Sequence, residues 1–292
     1  PVAAVALVSG LVPYDSGKTW FTLGAALAAR ERGLRVSVFK PVAAHNLWYS
    51  PLTVRRSLEL GALVGNDVLR YAEWGLVGDV RLSNPVAIAT VPPDPGRYPS
   101  IEGYMEDFGD VSRIAVLSRV YECKSGRQAH YVHAENLSRA GERARRLVER
   151  MGKALAAEPR SFADLAGYLG SPRAAENLNE CLERLRADSD VVFVESFSDA
   201  ITPYGGLLEA VDLVVIVAPG VAYVYRDVGS LRRAAQEAVE RLGPAGYRSL
   251  HVFRSARPDL SIETGFASRP SPRRPHREFV EKGLAPVLSG GR

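Results

Sequence analysis

The stretch Val2-Ala3-Ala4-Val5-Ala6-Leu7-Val8-Ser9-Gly10, continued by Leu11-Val12-Pro13-Tyr14-Asp15-Ser16-Gly17-Lys18-Thr19, decides the reading of the fold. Val2–Val8 is a short, Val-rich apolar run closed by Ser9-Gly10, so it reads as a buried strand. Thr19–Arg32 carries Trp20, Leu23, Ala26 and Leu27 at helical spacing and stops at Gly33. A glycine loop between a buried strand and a helix is the setting in which backbone N–H groups converge on phosphate oxygens, assisted by the helix dipole. In that setting Gly10, Tyr14, Asp15, Ser16, Gly17, Lys18 and Thr19 are the candidate cofactor-binding residues. Gly17 lets the backbone approach a phosphate, Lys18 reaches the β- and γ-phosphates, and the Thr19 hydroxyl is a ligand for Mg²⁺. Tyr14 and Asp15 are candidates to face a second substrate. Six residues separate Gly10 from Gly17, where the usual P-loop has four.

Outward from this unit the pattern continues. Arg35–Phe39 is a second short strand, ended by Lys40-Pro41, so the chain opens as strand, loop, helix, strand. Residues 51–75 read as helical. The Pro-rich stretch Val91–Gly96 reads as a loop or boundary. Ile114–Cys123 and Gln128–His133 flank Lys124-Ser125-Gly126-Arg127, a hairpin signal that predicts an antiparallel addition to the sheet. Leu137–Ala157 predicts a long helix, and Phe162–Ala187 further helix broken at Gly170-Ser171-Pro172. The α/β pattern then resumes with strands at Asp190–Val194 and Val211–Ala218, a helix at Asp227–Leu242 and a last strand at Ser249–Phe253. Ser268–Pro275, with its three prolines, cannot be a central strand or a helix interior. The predicted organisation is one domain over residues 1–256, interrupted by an inserted hairpin and helical region near 100–186, then an Arg/Pro-rich C-terminal arm over 257–292.

Composition narrows the class. The 292 residues are 46% hydrophobic, ample for a core. The longest apolar runs fall far short of a membrane span, and the N-terminal stretch has no basic n-region. A cytoplasmic protein is expected. The formal charge is +4, of which residues 257–292 carry +3, so no large basic face for nucleic acid is expected. Two cysteines, Cys123 and Cys181, exclude a disulfide framework and a Cys-rich zinc module, while leaving a single bridge open. Five lysines stand against 32 arginines, with six Asn and two Gln, a usage that suits a thermophile or a GC-rich genome. Two of those five lysines, Lys18 and Lys40, end the first two strand-based units.

A phosphate loop that works with Mg²⁺ needs a carboxylate. Asp190-Val191-Val192-Phe193-Val194-Glu195 is a strand ending in an acid, at the edge where α/β sheets bind ligands, so Glu195 is the candidate. Asp190 reads as the polar start of that strand.

The loop with Lys18-Thr19, the run Lys40-Pro41-Val42-Ala43, and Val194-Glu195 ahead of Thr202-Pro203 resemble the dethiobiotin synthetases. That family sits in the deviant P-loop NTPase group with cobyrinic-acid amide synthetases and partition ATPases. The resemblance covers roughly residues 1–95 and 187–240. It implies an α/β fold with a mostly parallel sheet flanked by helices, the P-loop NTPase fold, and ATP with Mg²⁺ as cofactors. It implies catalytic contacts from Lys18 and Lys40, and metal binding by Thr19, Asp67 and Glu195. It also implies a substrate-side loop at Pro219–Ala222, a homodimer, and a small carboxylate or carbamate acceptor activated by phosphorylation. The sequence departs from the family where Ala44-His45-Asn46-Leu47-Trp48 follows the lysine motif, and where Ser196-Phe197-Ser198-Asp199 replaces a glycine-rich turn. An Mg²⁺-dependent ATP-binding ligase or phosphotransferase is the expectation. A nucleotide-switched ATPase with a protein partner and a non-hydrolysing nucleotide-binding module stay open.

Smaller features read more simply. His130 and His133, three apart on a strand, point to opposite faces and are expected as surface or hairpin histidines with no shared metal. His45 is open between a substrate contact, a base and a plain loop role. The Arg-rich helix at 139–150 reads as a solvated face with i,i+4 pairs.

Overall fold

The computed structural model describes residues 2–265 and 273–290. Eleven strands run β1 (Ala4–Gly10), β2 (Val36–Phe39), β3 (Val42–Asn46), β4 (Val86–Thr90), β5 (Ala115–Glu122), β6 (Arg127–Val132), β7 (Glu158–Pro159), β8 (Val191–Glu195), β9 (Leu213–Ala218), β10 (Val221–Tyr225) and β11 (Leu260–Glu263). They form two sheets in two compact units. The first unit takes the chain up to Pro41, Gly75–Val77, and the chain from Asn179 on; the second takes Val42–Trp74 and Gly78–Leu178. The protein is α/β, with mixed sheets flanked by helices.

In the first unit the strand order is β11-β10-β9-β1-β8-β2. β1 pairs parallel with β8 on one side and β9 on the other, and β2 pairs parallel with β8. Every residue of β1, β8 and β9 is buried, which is why these runs are continuously apolar rather than alternating. The helix α1 (Lys18–Glu31) packs a small-residue face, Ala25, Ala26, Ala28 and Ala29, into this core. Gly33, at φ 82°, then ends α1 in the left-handed conformation that a glycine takes without strain.

Two expectations fail here. Pro219–Ala222 is not a loop: Pro219-Gly220 is a two-residue turn, with Gly220 at φ 85°, that folds β9 back into antiparallel β10. Ser249–Phe253 is not a strand but part of the helix Ser249–Ser255. A short apolar run does not distinguish the two by periodicity. The last strand is β11, antiparallel to β10. Of the C-terminal stretch, residues 266–272 and 291–292 lie outside the described residues. Between them the helix Arg274–Glu278 and the π-helical segment Phe279–Leu284 pack on α1, with the Phe279 ring edge-on to Phe21 at 5.3 Å.

The second unit has its own sheet, ordered β3-β4-β5-β6-β7. The predicted hairpin is present as β5 and β6, but it belongs to this sheet and not to the first. The predicted helical stretch 51–75 is two helices, α2 (Pro51–Leu60) and α3 (Asn66–Glu73), divided at Gly61 with φ 60°. The helix expected over Leu137–Ala157 is shorter, Glu142–Ala154, and buries Val148 and Met151 against Leu117 and Leu63. His130 and His133 are 6% and 0% exposed, so neither is a surface residue. His130 Nε2 accepts the Leu63 N–H at 3.1 Å, while His133 bonds Arg160 O and Ser118 Oγ at 2.8 and 3.0 Å. Cys123 and Cys181 are both disulfide-bonded. No helix among the described residues is long and apolar enough to cross a membrane.

Candidate functional site

β1 delivers the chain to Gly10 at the carboxyl edge of four parallel strands, and the Leu11 N–H extends the ladder to Val217 O at 2.9 Å. The backbone then turns through two left-handed residues, Asp15 at φ 53° and Gly17 at φ 90°. Gly17 is the N-cap of α1, and its carbonyl accepts the first helical bond from Phe21 N–H at 2.9 Å. α1 opens with no capping side chain and no acidic residue of its own in the first turn. Ser198, also left-handed at φ 48°, donates its hydroxyl to Pro13 O at 3.4 Å and braces the loop from beneath.

Lys18 folds back over this loop. Its ammonium donates to the buried Ser16 hydroxyl at 3.3 Å. The space it uses exists because residue 10 is glycine: a Cβ there would fall 2.7 Å from both Lys18 Nζ and Ser16 Oγ. Tyr14 and Asp15 are exposed on the outer side of the loop.

Glu195 ends β8 opposite Val8 of β1 and is fully buried. Its Oε1 accepts the Thr19 hydroxyl at 3.1 Å and the Lys40 ammonium at 2.7 Å. Lys40 follows β2 directly and also donates to Ser196 O at 2.8 Å. The Ser196 N–H in turn holds Val8 O at 2.9 Å. The ends of β2 and β8 and the first turn of α1 thus converge on one carboxylate oxygen. Of the sequence-derived candidates, Gly10, Ser16, Gly17, Lys18, Thr19, Lys40 and Glu195 come together in the first unit. Tyr14 and Asp15 belong to the same loop but face outward. Asp67 is in the second unit, in the first turn of α3.

Sequence reasoning did not single out Ser196 and Ser198 as site residues. Their segment departs from the glycine-rich turn of the resembling family, yet Ser198 adopts the left-handed backbone that a glycine would supply. Among the described residues no group of three or more His, Cys, Asp or Glu side chains is arranged to hold a metal ion. The oxygen pair of Thr19 and Glu195 is hard and has one negative charge, a donor set that fits Mg²⁺ sharing its shell with phosphate and water. No family model matches the chain, and no curated protein matches it.

Proposed function

We propose that the first unit is a P-loop NTPase fold that binds ATP with Mg²⁺, and that the chain is a dethiobiotin-synthetase-like ligase or phosphotransferase acting on a small carboxylate or carbamate. The observation that carries this reading is the pairing of Thr19 Oγ1 with Glu195 Oε1 at 3.1 Å, in the first turn of α1 directly after Gly17-Lys18. A helix-opening hydroxyl beside a strand-end carboxylate is the oxygen pair a P-loop offers to Mg²⁺. The reading rests on Thr19 and Glu195 for the metal, with Asp67 outside the argument.

Bound Mg²⁺ supplies charge neutralisation at the phosphate oxygens. The chain's own residues do the rest. The N-terminal amides of α1 and of residues 15–18 receive phosphate oxygens. Lys18, already curled over Gly10, donates to the β- and γ-oxygens. Lys40 exchanges Glu195 for the transferring γ-phosphoryl group, where its charge offsets what builds up in the transition state. In-line transfer to the acceptor oxygen then needs positioning more than covalent help.

Calorimetry with ATP, GTP and ADP, with and without Mg²⁺, on the wild type and Lys18→Ala tests the reading. Mg²⁺-dependent ATP binding that collapses in the variant is the expected result. No nucleotide binding by the folded wild type would end it.

A further inference from the structure

His45 lies on β3 in the second unit, 7% exposed, and neither of its ring nitrogens has a hydrogen-bond partner. Burial pushes its pKa down to about 4, so near neutral pH the ring carries one N–H donor and one lone pair, both unused. Buried polar groups are rarely left so. The ring is aimed at a helix start. A Cβ built on Gly65 would meet His45 Nδ1 at 3.5 Å. Gly65 is the N-cap residue of α3, extended at φ −93° and ψ 164°, and it caps the helix with no side chain.

The approach to this helix start is held rigidly. The backbone of Leu63 is held at both of its polar groups, its N–H by His130 Nε2 at 3.1 Å and its carbonyl by Arg119 Nε at 2.8 Å. Asn66 donates its amide to the buried Ser50 hydroxyl at 2.6 Å. A pre-set helix N-terminus therefore meets an imidazole with nothing to bond.

We propose that His45 and the N-terminal turn of α3 form a site, within the second unit, that binds the carboxylate group of a small molecule. The chemistry selects the class. Helix amides and an imidazole N–H are donors, so they take an anion or a carbonyl. The donors at this site, the His45 ring, the first amides of α3, Asn66 and Ser50, are neutral, which suits a singly charged carboxylate better than a doubly charged phosphate. The second ring nitrogen is left to accept from a hydroxyl or amine of the same molecule.

The test uses the full chain with ¹⁵N-labelled histidine, where only five histidines contribute signals, together with backbone amide labelling. Acetate, acetamide and inorganic phosphate are titrated separately. Saturable movement of the His45 ring nitrogens and the Asn66 amide with acetate alone is the expected result. His45→Phe, which keeps a ring and removes both nitrogens, should weaken the acetate response at Asn66 by about tenfold or more. His45→Gln, which restores a donor, should recover part of it and covers the case in which the Phe variant does not fold. An unmoved His45 at saturating acetate, or an equal response to acetamide, overturns the inference. Calorimetry with MgATP on the wild type separates the two readings. An acetate response without ATP binding keeps this site and removes the ligase reading; ATP binding with no acetate response does the reverse.

Discussion

Lys40 Nζ and Glu195 Oε1 lie 2.7 Å apart with side chains only 5% and 1% exposed, and Thr19 shares the same carboxylate oxygen. Breaking a buried ion pair from one side strands a charge and costs about 3–5 kcal/mol, whereas replacing both partners is far milder. Lys40→Met should therefore lose several kcal/mol in urea unfolding, and Lys40→Met with Glu195→Gln should recover most of it. A double variant as unstable as the single one would show that the pair does not act as a unit.

Gly10→Ala separates binding from stability. The new methyl would meet the flexible end of Lys18 and the Ser16 hydroxyl, which can move aside. Unfolding free energy should change by less than about 1 kcal/mol, in the range of ordinary substitutions. ATP affinity should fall by about tenfold or more, because the displaced ammonium no longer lies over the phosphate cradle. Equal ATP affinity in the two proteins would remove Lys18's curled position from the argument.

Acid should destabilise the second unit. His45 and His130 are both held down to about 4 by burial, with the Arg119 charge adding to the effect at His130. The unfolded chain binds protons near pH 6.5, so stability is full above that value and falls as pH drops toward 4. The loss from His45 is on the order of 3 kcal/mol. His45→Phe should flatten that limb of a pH–stability curve while His130 keeps its share. A curve unchanged by the substitution would contradict the assigned burial effect.

Gly24→Ala sets two effects against each other. Alanine favours a helix interior by about 0.5–1 kcal/mol over glycine. Here the added methyl would overlap the His276 ring, whose Nδ1 accepts the Arg273 N–H at 3.1 Å. Overpacking costs about 1–3 kcal/mol, so packing should win. Net destabilisation and faster amide exchange over 274–284 are expected. A stabilised variant would show that the C-terminal segment yields easily.

Much of the first unit was legible because its central strands are buried on both faces. Runs such as Val2–Val8 and Val211–Ala218 announce themselves without alternation, and Gly17-Lys18-Thr19 marks the strand-to-helix turn. Boundaries shifted where polar ends stay in the ladder, by two residues at Ser9-Gly10 and by one at Glu195. The second sheet was not legible as a separate body. β3 begins inside Val42-Ala43, a stretch with a motif reading that hid its strand, and β4 is a five-residue run with no turn signal specifying its neighbour. The Lys40–Glu195 bond was not readable at all, since it joins residues 155 positions apart. Nor was the clamp on Leu63, because fully buried arginine is rare and Arg119 bonds only to main-chain carbonyls in that role.

The strand order has a consequence for synthesis on the ribosome. β2 pairs only with β8, and the neighbours of β1 are β8 and β9, so neither opening strand has a partner until residue 191 and beyond has emerged. The second unit, almost continuous from Val42 to Leu178, has all its strands in hand by then. The nascent chain thus builds its middle first and carries the apolar Ala4–Gly10 segment uncovered for most of translation, a window in which a holding chaperone would find its target.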